Sequence, residues 1–367
     1  MITIRKNLFQ EKLFLASRFV LSKTSTIPSL QGGMLKIAKN KLEIVTTNLN
    51  EFFYTQIKIE TNEEKKVVVD IKKIVEFLTL LSSEKINIYI DDKKLIIESD
   101  KTKASFNLIS SADFPSLPKV DGKESELDKD FIKEKLPLVL FAAAKDEIRP
   151  ILTGINFLTK EGQRCVVATD GFRLSLISEE KKEAFPSLII SANVLTEVLR
   201  IVGDNKEIKI LFSDEKKIIK LMVGDVDIYS RVIEGEFPPF EKVIPTDYKT
   251  RVVLDGEEFL RNIKMASVFA RDYSNIVVFD IKKDGFYIRP KTKDEKGTVI
   301  YQEVEFEGEE QKIAFNYKFV LDFLTNIKSK QVVFEMGQPN APGVFKSPDR
   351  KDFLHVIMPI RTEEETS

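Results

Sequence analysis

The sequence predicts an α+β protein built from three tandem copies of one domain, each combining helices with antiparallel strands. Three repeated features predict this. A β-rich triplet runs through a short polar residue into an amphipathic helix at Val67–Leu81, Leu188–Val202 and Ile313–Ile327. A second helix recurs as NLFQEKLFLASRFVL from Asn7, KDFIKEKLPLVLFAAA from Lys129 and GEEFLRNIKMASVFA from Gly256. Two Pro-rich stretches, Ser111–Lys123 and Glu234–Lys249, carry acid–Phe–Pro cores at Phe114-Pro115 and Phe237-Pro238, 123 residues apart.

In the strand-then-helix element the capping places fall to Asp70, Ser191 and Asn316, 121 and 125 residues apart. Such side chains accept hydrogen bonds from the free N–H groups of a helix start. Behind them Ile74, Leu195 and Val320 align, then Leu78, Leu199 and Leu324, then Leu81, Val202 and Ile327. That spacing makes one buried face. In the other helix Leu8, Phe131 and Phe259 occupy like places, 123 and 128 residues apart. Between the two helices of the first third, LKIAKNKLEIVTTN, FYTQIKIET and KINIYIDDKKLIIES alternate or are rich in β-branched residues, the pattern of strands. Each domain then reads as a βαβββ half written twice. Pro137 inside a helical pattern predicts a kink or a late start there. Pro-rich, non-periodic stretches between repeats are natural boundaries, which divides the chain into domains 1–120, 121–246 and 247–367.

Composition narrows the function. With 57 basic and 58 acidic residues the net charge is −1, which argues against a protein that grips nucleic acid by charge alone. The start lacks the zones of a signal peptide, and no run approaches the roughly 18 apolar residues of a membrane span. The single cysteine, Cys165, permits no internal disulfide and reads as a small core residue in the strand CVVA. These features fit a cytoplasmic protein. The ending TEEETS reads as a solvated acidic tail.

Little in the sequence points to catalysis. The only histidine, His355, lies in the apolar strand FLHVIMPIR, where histidine is usually a satisfied core group. Asp91-Asp92, Glu179-Glu180 and Glu309-Glu310 fall in charged, turn-like stretches without the surroundings that would split their pKa values. No His, Cys or carboxylate cluster has metal-ligand spacing. The chain therefore reads as a non-enzyme with no cofactor and no metal. Two motifs remain. In ATDGFRLSLI, Asp170-Gly171 between β-rich runs signals a hairpin, with Arg173 and Leu174 just after it where an apolar pocket could open. In HVIMPIR, Met358 and Pro359 interrupt a strand, because proline cannot donate to a ladder.

Taken with the length and the triplication, ADFPSLP, ATDGFRL, EFPPFEKVIP and FLHVIMPIR in this order resemble the bacterial DNA polymerase III β subunit, the sliding clamp, over the whole chain. The resemblance implies three clamp domains with helices inside and antiparallel sheets outside, forming half of a six-domain homodimeric ring. Its partners would be encircled duplex DNA, a second copy, the DNA polymerase III α subunit, the clamp loader and other clamp-motif proteins.

It also implies sites. The partner-peptide pocket would use Leu152, Thr169, Gly171, Phe172, Arg173, Leu174, Pro238, Lys242, Val243, Val344, Val356, Met358, Pro359, Ile360 and Arg361. Phe172 stands where the family usually has histidine, and Lys242 where arginine is common. DNA-facing residues would be Lys12, Arg18, Lys23, Lys72, Lys73, Arg149, Arg200 and Lys264, with Arg261, Lys318 and Lys328 on the same helix faces. Pro150 and Ile151 replace an aromatic pair found in some relatives. The dimer edge would pair the strand holding Phe106 and Ile109 with Val268 and Phe269. Two other readings stay open: a three-repeat peptide-binding adaptor without DNA encirclement, which predicts a monomer or open assembly, and an enzyme with a deep polar pocket.

Overall fold

A computed structural model describes residues 1–21, 27–180, 185–203, 207–292 and 297–361. The predicted βαβββ order appears twice in each third. The first third runs β1 (Ile2–Arg5), α1 (Lys6–Ala16), β2 (Gly33–Ala38), β3 (Lys41–Thr47), β4 (Glu51–Lys58), β5 (Lys65–Val69), α2 (Ile71–Leu80), β6 (Lys85–Ile90), β7 (Lys94–Ser99) and β8 (Thr102–Ile109). The second runs β9 (Lys123–Asp128), α3 (Leu136–Leu140), β10 (Gly154–Lys160), β11 (Gln163–Thr169), β12 (Arg173–Glu180), β13 (Leu188–Ser191), α4 (Ala192–Ile201), β14 (Glu207–Ser213), β15 (Ile218–Val223) and β16 (Val226–Arg231). The last comprises β17 (Thr250–Asp255), α5 (Gly256–Ala270), β18 (Ile276–Lys282), β19 (Gly285–Pro290), β20 (Ile300–Gln302), β21 (Glu305–Gly308), β22 (Gln311–Asn316), α6 (Tyr317–Ile327), β23 (Gln331–Met336), β24 (Gly343–Ser347) and β25 (Arg350–Ile357). Here one strand is split, and its halves β20 and β21 join different sheets.

The caps behave as their chemistry requires. The Asp70 carboxylate accepts from the Lys73 N–H, and the Asn316 side chain accepts from the Lys318 N–H. Asp255 does the same for α5, accepting from the Glu258 N–H. Pro137 does not delay the helix: Lys129–Leu140 are helical without a break, and the disturbance is a widened π-type turn over Phe131–Lys135, in which the Leu136 N–H reaches the Phe131 carbonyl. A proline within a helix removes one backbone donor, and a local π-bulge is one way in which the hydrogen-bond ladder accommodates it.

Contacts divide the chain into two compact units, Met1–Lys129 with Val194–Val232, and Asp130–Asn193 with Ile233–Ser367. The first holds a twelve-stranded sheet in the order β1-β6-β7-β8-β5-β2-β3-β4-β16-β15-β14-β9. Among the described residues only Ile109 and Leu108 of β8 pair with β5, and Thr102–Asn107 pair on one side, with β7. The second unit holds a nine-stranded sheet, β13-β10-β11-β12-β25-β24-β23-β17-β21, and a four-stranded one, β20-β19-β18-β22. The strands of the middle third are thus shared between the two units.

The cores are phenylalanine-rich, as the absence of tryptophan requires. In the second unit Phe259, Phe279, Phe286, Phe315, Phe334 and Phe345 are all buried, and edge-to-face contacts link them. Each such ring contributes about 1.5–3 kcal/mol by leaving water. Cys165 is buried, as expected of a small strand residue.

Candidate functional site

The hairpin at Asp170-Gly171 is the organising element of the second unit. Its turn is tied by the Asp170 carboxylate, which accepts the N–H groups of Phe172 and Arg173 at 2.9 and 3.0 Å. Gly171 takes φ +90°, which favours glycine, and a Cβ there would also meet the mobile end of the Arg149 side chain at 2.5 Å. The Thr169 hydroxyl donates to the Arg173 carbonyl at 2.6 Å and accepts from the Gly171 N–H.

From that turn β12 runs antiparallel to β25, and register decides which side chains meet. Thr169 pairs with Leu174, Leu174 with Val356, and Val356 with Val344. One strand step on, Leu176 pairs with Leu354. Leu174, Leu176 and Val356 thereby share one face with Cys165 and Val167, and Phe240 from the Pro-rich linker covers them. Phe237, Ile244, Leu158 and Leu354 pack around this cluster. The sheet ends at Ile357, where the Met358 N–H donates to the Phe172 carbonyl at 2.8 Å. Met358 and Pro359 therefore lie just past a strand end, as proline demands.

The expected pocket residues divide into a floor and a rim. Leu152, Thr169, Arg173, Leu174, Val344 and Val356 are buried. Phe172, Met358 and Val243 are exposed at 61%, 37% and 40%. Gly171, Pro238, Lys242 and Arg361 are also exposed, and Pro359 and Ile360 are half-buried. Of the buried set, Leu174 and Val356 belong to the apolar cluster described above, and Arg173 lies on the other face of β12.

On the opposite face of β12 the residues are polar and enclosed. The Arg173 side chain is 5% exposed, with Nε 3.1 Å from Asp170 and Nη1 2.6 Å from Asp322 of α6. Its guanidinium also lies over the rings of Phe319 and Phe141. Phe141, Phe319 and Asp322 were not legible as site residues. Their helices were, but nothing in the local pattern tells which turn of α6 meets the hairpin.

His355 is fully buried, its Nδ1 2.8 Å from the Ser175 hydroxyl and its ring stacked on Phe323. Its Nε2 has no hydrogen-bond partner among the described residues. Burial, with the Arg173 charge acting the same way, holds its pKa well below the ordinary histidine value. The unfolded chain takes up this proton below about pH 6.5 while the folded one resists it. Stability is therefore full above that pH and falls as pH drops through it, by at most about 1.4 kcal/mol per pH unit. His355→Phe should flatten this slope, read as urea midpoints at pH 7.5 and 5.5. Equal slopes in both proteins would show that His355 titrates normally.

The helical cations differ from expectation in one case. Lys12 does not point outward: it is 7% exposed, and its ammonium sits 2.8 Å from Asp225 in the β15–β16 turn. Close packing of α1 buries the lysine stem, and a local carboxylate neutralises the head. Arg18 pairs with Glu197, and Arg200 also approaches Glu197, at 3.8 Å. Lys73, Arg149, Lys264, Lys318 and Lys328 are exposed, Lys72 is half-buried, and Arg261 is exposed beside Glu258. Lys23 and the acidic tail lie outside the described residues.

Phe106 is a second correction. It is 6% exposed and packs edge-on against Phe77, so its ring belongs to the core of its own unit. Strand alternation explains this: the inward face of β8 carries Phe106, and the outward face cannot. Ile109 is half-buried against the cluster of Met34, Val45, Val68 and Phe114. Val268 and Phe269 are exposed at 48% and 47%.

Among the described residues no group of three or more His, Cys, Asp or Glu could hold a metal ion, and no helix is long and apolar enough to cross a membrane.

Comparison with known proteins accounts for nearly the whole chain. Residues 1–118, 126–239 and 241–361 match the family models for the N-terminal, central and C-terminal domains of the DNA polymerase III beta subunit. The chain is 27% identical to the beta sliding clamp of Bacillus subtilis, with 98% of this chain and 99% of that protein aligned. It is 28% identical to the Staphylococcus aureus beta sliding clamp, over 93% and 94%. The crystal structure of the Thermotoga maritima DNA polymerase III beta subunit superposes with a TM-score of 0.91 at 27% identity, covering 98% of this chain and 99% of that one.

Proposed function

Because this chain belongs to the DNA polymerase III beta-subunit family, it is a processivity clamp, and we propose that it works as a homodimeric ring around duplex DNA, without catalysis, in the cytoplasm. The single observation that carries this reading is the match of all three family domains, in order, along the chain. Domain boundaries near 120 and 246 accord with strands that restart at Lys123 and Thr250.

Polymerase III and other clamp-binding proteins dock on the hairpin pocket, floored by Leu152, Leu174 and Val356 and rimmed by Phe172, Val243 and Met358. Exposed cations such as Lys73, Arg149, Arg200 and Lys264 meet phosphates, contacts that position DNA without reading its sequence. The dimer joins the free edge of β8 in one copy to the end of α5 in the other. An unpaired strand edge is a ready template for a second chain.

A topological hold is tested by salt. Loaded onto nicked circular DNA, the protein should remain at 0.5 M salt and leave within minutes once the circle is cut. A charge-held protein with 6–10 phosphate contacts would instead weaken by roughly 10³–10⁵ between 50 and 200 mM salt. Loss from the intact circle at high salt would overturn the ring.

A further inference from the structure

Beside the apolar row of the pocket lies a cavity of about 420 Å³, walled by the loop 143–149, the Asp170–Arg173 turn and the start of α6. Two of its walls are phenylalanines from different elements. The Phe172 ring, 61% exposed, lies 18° from parallel to that of Phe319, with centroids 6.4 Å apart. Ile148, 86% exposed, stands on the same rim. Single exposed apolar side chains are ordinary, but here two converge on one concavity with a half-buried third, Phe319. Phe172 and Arg173 on its wall directly precede Leu174 of the pocket, and the Phe172 carbonyl accepts from the Met358 N–H.

The charges at its mouth are unequal. Arg173 already engages Asp170 and Asp322. Arg149 donates to a neutral acceptor, the Asp170 carbonyl, at 2.8 Å. In all, Lys145, Arg149, Arg173 and Lys318 face Asp146, Asp170 and Asp322, an excess of one positive charge, and Arg173 is the cation already held by carboxylates. The lip is therefore cationic beside an aromatic wall.

Resting on the pocket reading above, we propose that Phe172 and Phe319 set the pocket's specificity, selecting a partner segment that carries an aromatic side chain next to a carboxylate. An amide or hydroxyl pressed against these two rings loses water and gains no hydrogen bond from them. An aromatic ring gains edge or stacking contacts beyond its buried area, worth roughly 2- to 12-fold in affinity. The neighbouring carboxylate meets the cationic lip.

The test uses the full-length protein and five-residue acetylated peptides that share a Leu-Leu end and an Asp, and differ at one upstream position: Trp, Gln or Ala. Fluorescence anisotropy competition should rank Trp roughly 2- to 12-fold above Gln and Ala. Phe172→Ala, at an exposed site that leaves the core intact, should bring the Trp-to-Ala ratio close to one, with an unchanged melting temperature as the folding control. Replacing the peptide Asp by Asn should weaken binding at low salt. Equal binding of the three peptides to the native protein, or a preference that survives Phe172→Ala, overturns the aromatic selection while the pocket stands. If no peptide binds, the pocket reading falls and this selection falls with it.

Discussion

Replacing Arg173 with alanine is expected to lower folding stability by about 3 kcal/mol and to abolish partner binding together. The side chain is 5% exposed and forks between two carboxylates, with Nε on Asp170 and Nη1 on Asp322. Removing one member of a buried pair strands the other, which typically costs about 3–5 kcal/mol. Asp322 is 44% exposed, so water relieves part of that penalty, and the lower figure applies. The Asp170 carboxylate keeps the Phe172 and Arg173 N–H groups, so the turn itself survives. What is lost is its tie to α6. Phe172 and Phe319 then no longer hold a fixed spacing. Arg173→Lys should restore only part of the loss, since a single ammonium cannot span two carboxylates in the planar fork. Urea denaturation and peptide anisotropy report the two effects separately. An unchanged urea midpoint would mean that the ion pairs are already screened and contribute nothing.

Much of this architecture was legible because repetition turns weak local signals into strong ones. The capping places at Asp70 and Asn316 were readable from residue type and spacing, and both make the bonds their chemistry allows. Pro137 announced a disturbed helix for the same local reason, and the widened turn over Phe131–Lys135 lies just ahead of it. Cys165 and His355 were readable as core residues from the apolar strands that hold them. What failed depends on distant partners. Lys12 sits on a plausible polar face of α1, and only the β15–β16 turn, more than 200 residues away, supplies the Asp225 that buries it. Phe106 lies on a strand between β7 and β5, and the parity of that strand turns its ring toward Phe77. Phe319 and Asp322 were missed because their role comes from the meeting of α6 with a hairpin some 150 residues earlier. Register and helix rotation are set by tertiary packing, and one sequence carries no direct record of either.

Charging the end of α5 should open the ring without unfolding the chain. Met265, Val268, Phe269 and Tyr273 are each exposed by more than two fifths, while Ala266 and Ala270 beside them are buried. At spacings of three and four residues from Met265, Val268 and Phe269 lie along one face of α5, and Tyr273 follows in the turn just past its end. The apolar face has no other cover among the described residues, and the proposed dimer places it against the free side of Thr102–Asn107 in the second copy. The double variant Val268→Asp with Phe269→Asp puts two carboxylates where that contact would exclude water. Burying an unpaired charge is far costlier than exposing an apolar ring, so the dimer should weaken by at least roughly 100-fold. In the isolated chain both positions already face water, so the melting temperature should hardly move. Light scattering should then give a monomer mass, and the variant should fail to stay on circular DNA while still binding partner peptides, because the hairpin pocket lies on other elements. A dimer that persists would place the subunit contact elsewhere, and a monomer still retained on circles would separate DNA holding from ring closure.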